Sequence, residues 1–470
     1  MQKVEPLYAV PKDKGCFIVN FAIIGGCTWS FGILLPEISL KFKATATQVA
    51  WLPAIACFIR LFIATPANML AAKIGTRWVV VTGSLLINVG FFLGTFASRI
   101  EILYVTFGCI VGVGAGLCYA PSIVILGQYF DKRRCLANGI SFCGVGIGSF
   151  VLPPVIRYSA DSYGLNAAFL ILATVVLHIC VAGMLFRPPS FYLKKYTQSK
   201  CALEKLPETV VWVTEIKPDT KICLSDSITM TASPVGVAGA QEKTPNNDVC
   251  CVADTKTTCN DCDVGETSSG FRWRLLCNPL MLMYAVTLAI SDSSYGNVYM
   301  LMPPHATSTG FSSIKGTQLI SMIGITQAVS RLISGWFGDF NVFNKKYIYQ
   351  GALLVCGTTF CVMPFIQNYV LLAIVSVVCS LSAGSFTVLS AVLVAENLGT
   401  ANLPTTYGIL YSTESLFFLA SPVLMGWLRD TTGRWNDSFI TSGALLIFGA
   451  SVYIFEPCAA KYGKKTTQKT

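Results

Sequence analysis

Twelve runs of apolar residues, each about 20 long, dictate what this 470-residue chain can become. The first half holds them near residues 15–36, 51–72, 78–97, 102–127, 135–156 and 165–186. The second half holds them near 279–301, 317–338, 347–366, 370–395, 404–428 and 437–456. A run of that length is what an α-helix needs to cross a bilayer, and lipid offers the backbone no partner outside its own segment. With 53% hydrophobic and 12% charged residues, the chain carries more apolar surface than a soluble core absorbs. The expected fold class is an all-α integral membrane protein of twelve transmembrane helices, arranged six plus six, with the lipid bilayer as its obligatory partner. The divisions are a tail at 1–14, a six-helix half at 15–186, a linker at 187–274, a second half at 275–456 and a tail at 457–470. The first run lacks a small-residue cleavage pattern and reads as a span, not a signal peptide.

Lysine and arginine orient the bundle. With both termini cytoplasmic, the cytoplasmic tails and loops hold 25 of the 34 basic residues and the external loops hold 7. Arg60 and Arg331 lie inside spans. The long central loop counts least, and without it the ratio is still 14 to 7. The net charge of +10 therefore reads as topology, with no nucleic-acid patch in it. The 187–274 linker is rich in Thr, Ser, Asp and Lys without apolar period, and reads as disordered. Its Cys250, Cys251, Cys259 and Cys262 lack the second separated pair of a zinc ribbon and have no histidine near, so reduced thiols are expected and no metal. No cofactor is expected either.

One stretch between spans four and five is a compact charged knot, "GQYFDKRRCLANG" at 127–139, with Asp131, Lys132, Arg133 and Arg134 in a row. The longer segment "GVGAGLCYAPSIVILGQYFDKRRCLANGISFCGVGIGSFVLPP" (112–154) resembles the monocarboxylate transporters of the major facilitator superfamily. So does "YGILYSTESLFFLASPVLMGWLRDTTGRW" at 407–435. The start of span one departs from that family, with "DKGCF" where Asp-Gly-Gly-Trp is usual. The resemblance implies a plasma-membrane carrier and a single-span ancillary subunit as partner. It also implies that the knot is a cytoplasmic gate latch; a positive-inside anchor at the headgroups explains the same residues. Gly108, Gly112, Gly114 and Gly116 in span four, with Gly144, Gly146 and Gly148 in span five, make seams where helices approach closely. After span two, "ANMLAAKIGTRW" keeps Lys73, Gly75 and Arg77 of the superfamily's turn but has Asn68 and Ala72 at its Gly and Asp positions. "SGWFGDF" retains Gly335 and Asp339 at the corresponding place in the second half, a weak internal symmetry.

Ionisable residues inside spans carry the chemistry, because each is costly in lipid unless paired or wetted. They are Arg60, Asp292, Arg331 and Glu414. "GITQAVSRLISGW" resembles the family's eighth span, which implies that Arg331 binds the substrate carboxylate; a guanidinium offers the two-pronged contact this needs. The alternative is a buried structural ion pair. Gln327 stands where proton-coupled members have an aspartate, and Ile33 where they have a lysine, so the usual coupling pair is missing. Arg60 is a further anion-binding candidate. Asp292 and Glu414 are each either the titrating group or a fixed partner of an arginine. His178 is expected at a helix contact and His305 in an external loop. The reading is a secondary transporter of a small carboxylate-bearing metabolite. Its alternatives are a non-proton-coupled facilitator of a larger or zwitterionic substrate, amino-acid or creatine-like, and a non-transporting sensor or scaffold. An enzyme is not expected, since no nucleophile–base or metal constellation is visible.

Overall fold

A computed structural model describes residues 30–129, 134–186, 278–338, 344–398 and 403–456. The 187–274 linker and its cysteines, both tails, and Asp131, Lys132, Arg133 and Asp339 lie outside the described residues. All regular structure among the described residues is helical.

The first half contains α1 (Leu35–Phe42), α2 (Ala46–Phe62), α3 (Ala64–Ile74), α4 (Thr76–Gly94), α5 (Gly112–Tyr129), α6 (Arg134–Tyr163) and α7 (Leu165–Leu185). The second contains α8 (Pro279–Ser308), α9 (Ser313–Gly338), α10 (Lys345–Val362), α11 (Tyr369–Leu398), α12 (Leu403–Thr432) and α13 (Asn436–Val452). A 3-10 turn at Ser30–Leu34 leads into α1, and the helix runs to Phe42, beyond the expected end of span one at 36. Span two is α2 and α3 with a 44° bend between them. Pro66 explains it: without an N–H it cannot bond the Phe62 carbonyl four residues back. Gly75, with φ 92°, makes the tight turn from α3 to α4, a backbone conformation that costs other residues dearly. Span four passes through a π-helical stretch at Tyr104–Val111 before α5.

Eight of these helices, or nine with the bent pair, are long and apolar enough to cross a membrane unaided. Helices α8 and α9 are not among them. Their Ser291, Asp292, Ser293, Ser294, Asn297, Gln327, Ser330 and Arg331 lower the mean hydropathy, and α8 answers this by being buried on all its faces.

The halves meet along two seams, α6 against α9 and the bent span two against α12, with the Ser30–Leu34 turn lying on α8. At the first seam a Cβ on Gly146 would stand 2.5 Å from the Gly324 carbonyl oxygen, and one on Gly139 would stand 2.7 Å from that of Arg331. Only glycine permits backbones so close. Inside the first half, Gly112 and Gly116 do the same for α2, facing Ala56 and Arg60. At the second seam the Asp430 carboxylate accepts the Ala46 and Thr47 backbone N–H groups at 3.2 and 2.9 Å, and the Thr47 hydroxyl. It thereby caps the N-terminus of α2 from the opposite half.

Candidate functional site

The four ionisable residues within the spans converge where the seams cross the centre of the bundle. Arg60 reaches it from α2, just before the bend, and Arg331 from α9; each is 5% exposed. Glu414 comes from α12 and is buried, while Asp292 on α8 is partly exposed. No ion pair closer than 4.0 Å joins any of them. They act on one another at longer range: Arg331 on Asp292, and Asp292 and Arg60 on Glu414. Two arginines and two carboxyl groups thus sit in one low-dielectric region, balanced in number and without a direct ion pair among them.

The arginines are differently held. Arg331 Nη1 donates to the Phe142 carbonyl of α6 at 2.7 Å, and its guanidinium lies 5.9 Å from the centre of the Phe142 ring. Its Nε has no hydrogen-bond partner. The Arg60 guanidinium lies 5.1 Å over the ring of Tyr119, with Nε and Nη1 unpartnered. A buried N–H without an acceptor is costly, so both arginines retain strong capacity for an anion. Tyr119, on α5, is within electrostatic reach of all four charged residues, and its ring lies 6.1 Å from that of Tyr411 on α12.

Gln327 is engaged elsewhere through both ends of its amide. Its Oε1 accepts from the Tyr299 hydroxyl and its Nε2 donates to the Tyr295 hydroxyl, each at 3.2 Å. One turn from Arg331, it therefore serves as a neutral bracket between α8 and α9. Ile33 is buried and apolar, so no cation stands at that place in span one. A cavity of about 30 Å³ lies between the halves, touched by Gly32, Cys57, Asn297 and Phe418, and one of about 10 Å³ lies within the first half beside Arg60. Together these hold a water or two, not a metabolite.

Two expectations are corrected. His305 is not in a loop: α8 runs on through Pro303 and Pro304 to Ser308, and His305 is buried with its ring 5.0 Å from that of Phe439. A proline pair removes two backbone donors, and neighbouring helices sustain the backbone there. His178 is no helix contact. It is exposed on the outside of α7, with Nδ1 3.1 Å from the Thr174 carbonyl. In the charged knot, Arg134 opens α6, and the other three residues lie outside the described set. Tyr119 and the Phe142 carbonyl went unread in the sequence. Tyr119 carried one signal, its place in the glycine-lined stretch of span four.

The family model of the Major Facilitator Superfamily matches residues 17–340 and, a second time, 284–469. Monocarboxylate transporter 12 of Mus musculus is 28% identical over 439 residues, covering 93% of this chain and 82% of its own. Monocarboxylate transporter 12-B of Danio rerio is 28% identical over 97% of this chain and 88% of its own. For monocarboxylate transporter 13 of Rattus norvegicus the figures are 27%, 93% and 86%. The resemblance read from the span-four motif extends along nearly the whole sequence.

Proposed function

Because the chain belongs to the Major Facilitator Superfamily and is a multi-pass secondary transporter, we propose that it moves a small carboxylate-bearing metabolite by alternating access, with Arg331 binding the carboxylate. The observation that carries this is the half-used Arg331 guanidinium, tied to the opposite half by one backbone carbonyl and unpartnered at Nε. An arriving carboxylate offers two charge-assisted acceptors where Phe142 offers one neutral acceptor. Substrate therefore takes Arg331 from α6 and loosens that link between the halves. Arg60, on the first half, meets the substrate from the other side, with Tyr119 supporting its guanidinium.

The proton-symport switch of the family has no counterpart at Gln327 and Ile33. Transport is facilitative, or coupled through Asp292 or Glu414. A zwitterionic substrate is the second reading, favoured by those two carboxylates standing unpaired beside the arginines. The carrier lies in the plasma membrane with both termini cytoplasmic, and a single-span ancillary subunit accompanies it.

The test is uptake of labelled carboxylates, amino acids and other zwitterions by reconstituted protein. Arg331→Lys keeps the charge but loses the fork, and is expected to cut uptake tenfold or more, about 1.4 kcal/mol. Unchanged affinity and rate in a normally inserted Arg331→Ala variant overturns the assignment.

A further inference from the structure

A groove of about 590 Å³ opens on the outside of the bundle at the α6–α9 seam. Phe150, Val151 and Pro154 of α6 form one wall; Gln318, Ser321 and Met322 of α9, with Tyr369 at the start of α11, form the other. It is far larger than the central cavities and falls within the size range of ligand pockets. Phe150 and Val151 are among its exposed apolar side chains, as befits a surface facing acyl chains. The mouth does not fit a purely apolar lipid face. At the mouth, Gln318 Oε1 accepts from the Tyr369 hydroxyl at 3.2 Å, which leaves the Gln318 amide N–H groups to donate outward. Lys315 Nζ lies 5.2 Å over the Tyr369 ring, adding a cation to the same mouth.

We infer that this groove is a glycerophospholipid site: phosphate at Lys315 and Gln318, and one acyl chain along Phe150, Val151, Pro154 and Met322. Lys315 and Gln318 are three residues apart on one helix and so share a face, which lets both reach one phosphate. Because the walls come from opposite halves, the lipid fills a space that exists in this arrangement of the bundle and changes when the halves reorient. The site lies apart from the central charges and does not depend on how those bind substrate.

Native mass spectrometry of the full chain, delipidated and then titrated with dioleoyl phosphatidylcholine or with dioleoylglycerol, tests the inference. One phosphatidylcholine is expected to be retained per chain, at least fivefold more readily than dioleoylglycerol. Val151→Trp, which fills the groove, and Lys315→Glu with Gln318→Leu, which remove its polar contacts, are each expected to lower retention fivefold or more. Equal retention of the two lipids, retention of neither, or retention unchanged in either variant overturns the site. Should Val151→Trp fail to insert, the lipid comparison on the unaltered chain and the double variant still decide.

Discussion

The two halves share a ring core and differ in what they connect it to. In the first half Phe31, Phe91, Phe107 and Phe169, from spans one, three, four and six, cluster with centroids 3.7–6.3 Å apart. In the second, Tyr295, Phe360, Phe386 and Phe439 come from spans seven, nine, ten and twelve, with pairs at 6.0–6.4 Å. The two sets occupy corresponding spans, an internal repeat more visible in packing than in the sequence motifs. One ring in four differs by a hydroxyl, and that hydroxyl, on Tyr295, receives the Gln327 amide. Around it the second half builds further polar links: Asn297 donates to Ser421 at 2.7 Å, and Asn397 donates to the Tyr284 hydroxyl at 2.6 Å, itself 2.7 Å from that of Tyr453. It also carries Asp292, Arg331 and Glu414, three of the four charged residues that converge at the centre. The first half is a mainly apolar body with a single buried arginine. Repetition of the fold does not require repetition of the chemistry.

The joint is where both halves must fit, so it is expected to be the most sensitive place. Gly146→Leu drives a side chain into the Gly324 backbone and should abolish uptake, measured against surface expression. Full uptake by that variant would mean that the seam is looser than the close approach indicates. Exchanging the differing ring comes next. Tyr295→Phe leaves the Gln327 amide without an acceptor, and Phe31→Tyr places a hydroxyl in a dry aromatic cluster. Each should cost about 1–3 kcal/mol in thermal unfolding of the purified chain. A neutral Phe31→Tyr would show that the first half holds an acceptor for the hydroxyl.

Coupling tests whether the second half alone carries the working charges. An inward proton gradient should accelerate uptake little in the unaltered chain, or through a carboxyl whose removal flattens the pH response. Glu414→Gln and Asp292→Asn, compared in vesicles with an imposed gradient, separate these outcomes. Strong proton-driven accumulation surviving both places the coupling elsewhere. The smallest effects belong to the ion pairs, which the halves carry at different places: Arg157 with Glu37 and Asp161 at 2.7 and 2.5 Å in the first, Lys345 with Glu396 in the second. These are partly exposed, and Arg157→Ala or Lys345→Ala should each change stability by about 0–1 kcal/mol.

Spans were legible in the sequence because lipid demands apolar length, and departures occurred where protein replaced lipid. Helix α8 continued through two prolines because neighbouring helices surround it. Arg60, Asp292, Arg331 and Glu414 stood out as charges inside apolar runs, but their mutual arrangement was not legible. Distance between helices is set by glycines on facing seams, such as Gly116 against Arg60, and no single segment encodes it. The Phe142 carbonyl that holds Arg331 has no side-chain signature at all. Gln327 was read as a lost proton site, and its bracing of two tyrosines required knowing that Tyr295 and Tyr299 face it.

The Asp430 cap also has a temporal meaning. Its carboxylate reaches from one half to the first backbone N–H groups of a helix in the other, so the contact lasts only while the two halves keep this arrangement. Whenever the halves part at that seam, those N–H groups lose their acceptor and water must take its place.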